Sequence, residues 1–201
     1  MMKIFILFFS VCFFFSQSSI AQIRTLPQDS TASGNLSPAG KVDTFKIVSN
    51  FDGQINLTLT ITNAQYTWVT LYDKDTATVL NSQYTDGTIT LSTDGLAAGT
   101  YFVRVYSYYG DRTPDYTLKY TLTPAPVPND IEPNNNKSQA QTLALNSTTT
   151  GHVGYYYNKQ RDTEDWYKVT TNADGMLQFK LTAHRSDNGR FVWVYLFDND
   201  G

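Results

Sequence analysis

Cysteine and histidine are nearly missing from this chain: one Cys and two His in 201 residues. The cysteine, Cys12, lies in an apolar run at the extreme N-terminus, so the rest of the chain has no material for a disulfide, a thiolate metal site or a cysteine nucleophile. The histidines, His152 and His184, have no nucleophile pattern beside them and are expected to be ordinary surface or strand-edge residues. There is no Gly-x-Ser-x-Gly elbow, no His-Glu-x-x-His helix and no glycine-rich phosphate loop. Glu164 and Asp165 are adjacent, so on a strand they point to opposite sides, which is poor geometry for a glycosidase pair. An enzyme is not expected within these residues. A Lys/Arg cluster is also missing. With Lys3 set aside as part of a leader, fourteen basic groups face eighteen acidic ones, a net charge of −4. Such a chain has no electrostatic footprint for nucleic acid or anionic lipid.

Long apolar runs are confined to the first residues. Lys3, the run 4–15 and the small residues of Ser19-Ile20-Ala21 make up a signal peptide cleaved after Ala21. The run is shorter than the roughly 20 residues of a stable span, so no membrane span is expected after cleavage, and the mature chain is expected to be secreted or held at the cell surface. A lipid-modified Cys12 is disfavoured because Val11 stands where a small residue is needed.

Beyond the leader no stretch has a convincing 3.6-residue apolar period, and the best helical candidate, 138–145, is two turns long. What is abundant is Thr, Tyr and Val with apolar residues at every second position, the signature of half-buried strands. Ile55, Leu57, Leu59 and Ile61 alternate with Asn56, Thr58 and Thr60. Similar runs occur at 45–48, 69–72, 79–84, 89–91, 101–108 and 116–122, with a short one at 34–36, and Asp-Gly turns at 52–53, 86–87 and 94–95 separate several of them. The expected fold class is all-β, with antiparallel β-sandwich or jelly-roll modules.

The run 123–129 places prolines at 124, 126 and 128, an extended segment that reads as a linker. It joins two similar halves. Asp43-Thr44-Phe45-Lys46-Ile47, followed by Asp52-Gly53, returns as Asp165-Trp166-Tyr167-Lys168-Val169, followed by Asp174-Gly175. Trp68-Val69-Thr70-Leu71-Tyr72-Asp73 matches Trp193-Val194-Tyr195-Leu196-Phe197-Asp198. The expected organisation is a leader at 1–21, a first sandwich at 28–123, a linker at 124–129 and a second module at 130–201. The second module lacks counterparts of the strands from 79 to 122. It is therefore expected to be incompletely folded as it stands, or the chain to be a piece of a longer product.

These motifs resemble the bacterial pre-peptidase C-terminal domain. The opening signature is Asp130-Ile131-Glu132-Pro133-Asn134-Asn135, then Ala140, Leu143, Gly151, Asp162 and Asp165-Trp166-Tyr167-Lys168-Val169. The closing signature is 96–105, Leu-Ala-Ala-Gly-Thr-Tyr-Phe-Val-Arg-Val, followed by Tyr116-Thr117-Leu118. The resemblance implies a non-catalytic β-sandwich that binds an extracellular protein or polysaccharide surface, or a neighbouring domain. It equally fits an accessory region of a secreted protease or other hydrolase, or a structural stalk.

Two groups of residues are candidates for function. In the resembling domains of clostridial collagenases, an acidic-Glu-Asn segment and two aspartates three apart hold calcium, which implies Asp130, Glu132, Asn134, Asn135, Asp162 and Asp165 as ligands here. Carboxylate and amide oxygens suit Ca²⁺. The same turn could instead serve as an Asx-capped lead into the sandwich without an ion. The first repeat keeps only Asp43 of this set, so a calcium effect is expected in the second repeat alone. The segments 73–75 and 198–201 resemble the start of an EF-hand loop but are read as hairpin turns, since no Glu stands at the twelfth position of the first and the chain ends in the second. The other group is the outward face of 101–108. With Tyr101, Val103 and Val105 in the core, Phe102, Arg104, Tyr106 and Tyr108 form a stripe that could bind a ligand or stabilise a wet sheet face.

Overall fold

In the computed structural model the described residues are 22–93, 95–157, 159–183 and 192–198; the leader, Asp94, His184 and residues 199–201 lie outside them. Nine strands form the first module: β1 (Ile23–Thr25), β2 (Thr31–Asn35), β3 (Val42–Ser49), β4 (Gly53–Ile61), β5 (Thr67–Tyr72), β6 (Val79–Thr85), β7 (Thr88–Ser92), β8 (Gly99–Ser107) and β9 (Asp115–Pro124). They pair as a five-stranded sheet, β1-β3-β8-β5-β6, and a four-stranded sheet, β2-β9-β4-β7. All pairings are antiparallel except β1 with β3, which is parallel.

The two-residue period becomes the inside and outside of a sandwich. Ile55, Leu57 and Leu59 of β4 are fully buried against Phe45, Ile47, Val69, Leu71, Val103, Val105, Leu118 and Tyr120. Each such side chain contributes about 1.5–3 kcal/mol when removed from water. The polar partners of the β4 alternation face outward and are cross-linked laterally: Thr58 with Thr90 at 3.0 Å, Thr88 to Thr60 at 3.1 Å and Ser92 to Asn56 at 2.7 Å. One buried charge interrupts the core edge. Asp43 accepts from the Tyr116 hydroxyl at 2.6 Å and is flanked by Lys41 at 3.1 Å and Arg24 at 3.5 Å, so its burial is compensated by two cations.

The chain then folds back. Leu96 and Tyr156 form a parallel bridge, with Tyr156 N donating to Gly95 O at 2.9 Å and Ala97 N to Tyr156 O at 3.1 Å. Lys159 reaches Asp75 at 3.0 Å. His152, expected to be an ordinary surface or strand-edge residue, lies outside any strand and is 6% exposed. Its ring lies 4.1 Å from that of Tyr155, 3.6 Å from the Asp52 carboxylate, and hydrogen-bonds Val127 O at 2.5 Å. The returning segment thereby covers the end of the sandwich where β3 leads to β4 and β8 begins.

Among the described residues of 130–168 the strands are each two residues long: β10 (Gln141–Thr142), β11 (Tyr156–Tyr157), β12 (Gln160–Arg161) and β13 (Tyr167–Lys168). The helical candidate at 138–145 is a single 3₁₀ turn, Lys137–Gln139, capped by Asn136, followed by β10. β10 pairs in parallel with β13 in the register Gln141↔Tyr167 and Thr142↔Lys168, and Leu143 N donates to Lys168 O at 2.9 Å. The geometry parallels that of Arg24↔Phe45, Thr25↔Lys46 and Leu26 N to Lys46 O at 2.9 Å. Past β13 no described residue lies in a strand, and Leu177, Phe179, Leu181 and 192–197 are exposed. In the first module the matching runs, β4 and β5, are each held between two strands, and no described strand offers 176–183 or 192–198 such partners.

Candidate functional site

The loop 129–134, the turn at Gly151 and the segment 162–167 converge. Asn134 is fully buried; its backbone carbonyl accepts from Trp166 N at 2.9 Å and its amide nitrogen donates to Asp130 Oδ2 at 2.7 Å. The Tyr167 hydroxyl also donates to Asp130 Oδ2, and Asn134 N donates to Glu132 Oε2 at 3.2 Å. Gly151 is required by close approach: a Cβ there would lie 2.7 Å from Asp165 Oδ2 and 3.1 Å from the Asp130 carboxyl carbon. Oxygens of Asp130, Glu132 and Asp165 come within 4.8 Å of one another.

Hydrogen bonds leave one side of this cluster unsatisfied. Asp130 Oδ1, Glu132 Oε1, Asn134 Oδ1, Asp162 Oδ2 and Asp165 Oδ1 are all buried without a hydrogen-bond partner. Buried acceptors are ordinarily paired, and an orphaned one costs about 1–3 kcal/mol, more when charged. Three of the carboxylates, Asp130, Glu132 and Asp165, converge and would be relieved together by one positive partner, while Asp162 and Asp165 can share a proton. Like charges crowd the group: burial, then the charges of Asp130, Asp162 and Glu132, push the Asp165 carboxyl up to about 8, and burial followed by the Asp162 charge raises Glu132. Burial likewise raises Asp162, while a hydrogen bond shared with Asp165 pulls the other way. Tyr167 is raised by burial and by donating to Asp130.

The six residues drawn from the resemblance therefore share one neighbourhood, in different roles. Asp130, Glu132, Asn134, Asp162 and Asp165 each contribute an orphaned oxygen. Asn135 is exposed; with its amide nitrogen turned inward, so that both amide atoms find partners, it donates to Asp162 Oδ1 at 2.6 Å and to Glu164 O at 3.1 Å. The donor set fits a hard divalent cation, which takes carboxylate and amide oxygens. Asp43, aligned with Asp165 in sequence, has Arg24 and Lys41 instead.

The stripe of β8 divides. Tyr106 and Tyr108 join Trp68 at the start of β5, with ring planes inclined to the indole by 15° and 6° at 6.3 and 5.7 Å. Tyr84 packs at 4.8 Å from Trp68, and Tyr66 and Tyr109 complete the cluster around Tyr108. Arg104 lies elsewhere: its guanidinium stacks on Tyr72 at 4.6 Å and donates to Thr76 O at 3.3 Å. Phe102 stands opposite Tyr72 and Lys46 at that other end of the sheet. Reading along one strand missed Trp68, Tyr84, Tyr66 and Tyr109. The available signal was the outward parity of Trp68 against Val69 and Leu71, but only strand pairing aligns Trp68 with Tyr84 and Tyr106.

No helix among the described residues is long and apolar enough to cross a membrane. No family model and no curated protein matches the chain. Among solved structures, it is similar to the pre-peptidase C-terminal domain of a collagenase from Bacillus anthracis, at 18% identity over 50% of this chain and 95% of that one, with a TM-score of 0.43. It is also similar to PliG, a periplasmic inhibitor of g-type lysozyme from Aeromonas hydrophila, at 15% identity over 51% and 98% of the two chains, with a TM-score of 0.38. A GH26-CBM35 β-(1,4)-mannanase from Podospora anserina matches at 16% identity over 57% of this chain and 32% of that one, with a TM-score of 0.31.

Proposed function

We propose that the chain is an exported, non-catalytic β-sandwich module that binds an extracellular polymer, with Ca²⁺ bracing the segment that follows the linker. The observation that carries the binding role is the aromatic cluster on the outer face of the five-stranded sheet. Its tyrosines remain 40–61% exposed at Tyr66, Tyr84, Tyr108 and Tyr109. Tyr84 lies on β6, and the other three lie on the segments flanking β5 and β8, whose inner faces bury Val69, Leu71, Val103 and Val105. Large rings held on a rigid sheet lose little entropy on binding, which is why Tyr and Trp dominate binding hot spots. The segment 125–168 packs against the opposite end of the sandwich and leaves this face open.

Calcium is supported by the five orphaned oxygens. Asp130, Glu132, Asn134, Asp162 and Asp165 would hold it, and it would supply charge neutralisation, not reactivity. The common pairing of β1 with β3 and of β10 with β13 supports reading the two segments as copies of one module, of which only the second carries the ion.

The test is retention of the secreted full-length chain on insoluble polysaccharides and on fibrillar collagen, with soluble products assayed in parallel. Retention without product release is expected. Turnover of any substrate, or no retention on every matrix, would sink the proposal.

A further inference from the structure

The binding face has a chemistry of its own, distinct from that of the stripe anticipated along β8. In register across three strands stand Tyr84 of β6, Trp68 of β5 and Tyr106 of β8, and Tyr108 N donates to Tyr66 O at 2.9 Å to extend the face one step further. The indole and the rings of Tyr106 and Tyr108 are within 15° of parallel, so they share one orientation across the sheet. Tyr84 leans against both Trp68 and Tyr108 at about 54° and closes one side, with centroids 4.8 and 5.0 Å away.

Charge is scarce here. The nearest cation along β8, Arg104, is committed to Tyr72 and Thr76 at the far end of the sheet. Asp86 adjoins the Tyr66 hydroxyl and raises its pKa, while Asp111 and Arg112, just beyond Tyr109, pair with each other at 3.7 Å. Among the described residues at this end of the sheet the exposed cation is Arg112, paired with Asp111, so a polyanion would find no unpaired cation there and would meet Asp86. Main-chain groups of β5 and β8 beneath the rings are consumed by pairing on both sides, so a peptide lying across Trp68, Tyr106 and Tyr108 finds no backbone partner there. The unpaired edge is that of β6, in the plane of the sheet and not on the ring face. What it offers is aromatic rings that carry their own hydroxyls, with Tyr66, Tyr84, Tyr108 and Tyr109 the exposed ones. An uncharged polysaccharide matches both features: pyranose rings present flat C–H faces to an aromatic surface, and their hydroxyls pair with the tyrosine hydroxyls.

Resting on the binding-module reading above, we infer that Tyr66, Trp68, Tyr84, Tyr106, Tyr108 and Tyr109 form a stacking site for a neutral polysaccharide. Binding at this site does not depend on the acidic cluster, which lies with the segment covering the other end of the sandwich.

The test is depletion of the full chain, with Ca²⁺ and with chelator, by microcrystalline cellulose, crystalline chitin, insoluble β-mannan and fibrillar collagen. At least one of the three neutral glycans should retain the protein in both buffers. Tyr84→Ala combined with Tyr108→Ala should weaken that binding about tenfold or more, the hot-spot range. The matching Phe pair should keep most of it, because stacking needs the ring and not the hydroxyl. Tyr109→Ala, at the most exposed ring, gives a second reading should the double variant unfold at lower temperature. Failure of all three glycans to retain the chain, or unchanged glycan affinity in both Ala variants, overturns the inference. Retention on collagen alone overturns it while leaving the binding-module reading standing; retention on nothing removes both.

Discussion

Removing or adding Ca²⁺ should change the local stability of residues 130–168 in a way set by the acidic cluster. Carboxylate oxygens of Asp130, Glu132 and Asp165 lie within 4.8 Å of one another. At an effective dielectric constant of about 20, each ionised pair repels by about 3 kcal/mol at that distance. Without a cation, burial and then the charges of Asp130 and Asp162 hold Asp165 up to about 8 against its ordinary 3.8, so the cluster retains a proton below that pH. The sign follows. The folded cluster binds more protons than the unfolded chain across this interval, so stability is fully present below about 4 and is lost as pH rises towards 8. A bound Ca²⁺ reverses the loss, and because it displaces that proton its affinity should climb over the same interval and level off above it. At a Ca²⁺ concentration about 100 times the dissociation constant, linkage adds about 2.7 kcal/mol, equivalent to about a hundredfold fewer openings of the segment. Amide hydrogen exchange reads this directly at Gln141, Leu143 and Trp166, whose N–H groups hold β10 and the cluster together. Their protection should rise about a hundredfold in saturating Ca²⁺ at pH 8 and far less at pH 5, while amides of β4 and β8 stay unchanged. Asp165→Asn should have opposite effects in the two buffers, raising protection in chelator by relieving repulsion and lowering the calcium increment. Equal exchange with and without millimolar Ca²⁺ at pH 8 would refute the reasoning.

Three further outcomes follow from the packing. Gly151→Ala places a methyl 2.7 Å from Asp165 Oδ2 and 3.0 Å from the Tyr167 hydroxyl, and should both weaken calcium binding in calorimetric titration and cost about 1–3 kcal/mol of local stability. Gly34→Ala drives a Cβ to 2.4 Å from the Tyr116 ring, which Asp43 and the core hold in place; the urea midpoint should fall by an amount equivalent to about 1–3 kcal/mol at unchanged m-value. Leu59→Ala, at a fully buried site between the sheets, should cost about 2–5 kcal/mol in the same assay and leave the calcium response unchanged.

The alternation of apolar and polar residues was enough to place eight of the nine strands of the first module and to assign the faces of β4 and β8, because side-chain direction in a strand depends only on parity; β1, at Ile23–Thr25, lies before the expected start at 28 and carries no such signal. Ile55, Leu57 and Leu59 had to point together, as did Tyr101, Val103 and Val105, and both sets are core. The acidic residues were legible only through family resemblance, since nothing local brings Asp130 near Asp165. Their convergence depends on Asn134 accepting from Trp166 N and on the missing side chain at Gly151. Burial of His152 was not legible either, because its partners Asp52 and Val127 are remote in sequence.

Parity along single strands was thus a property of the sequence itself, as were the turns and the period. Which strands became neighbours was decided in three dimensions, where Trp68 of β5, Tyr84 of β6 and Tyr106 of β8 are brought into one register by backbone pairing between distant segments. That pairing assembled the aromatic face, and the fold-back of 125–168 left it open, because both are contacts between residues whose separation along the chain carries no periodic signal.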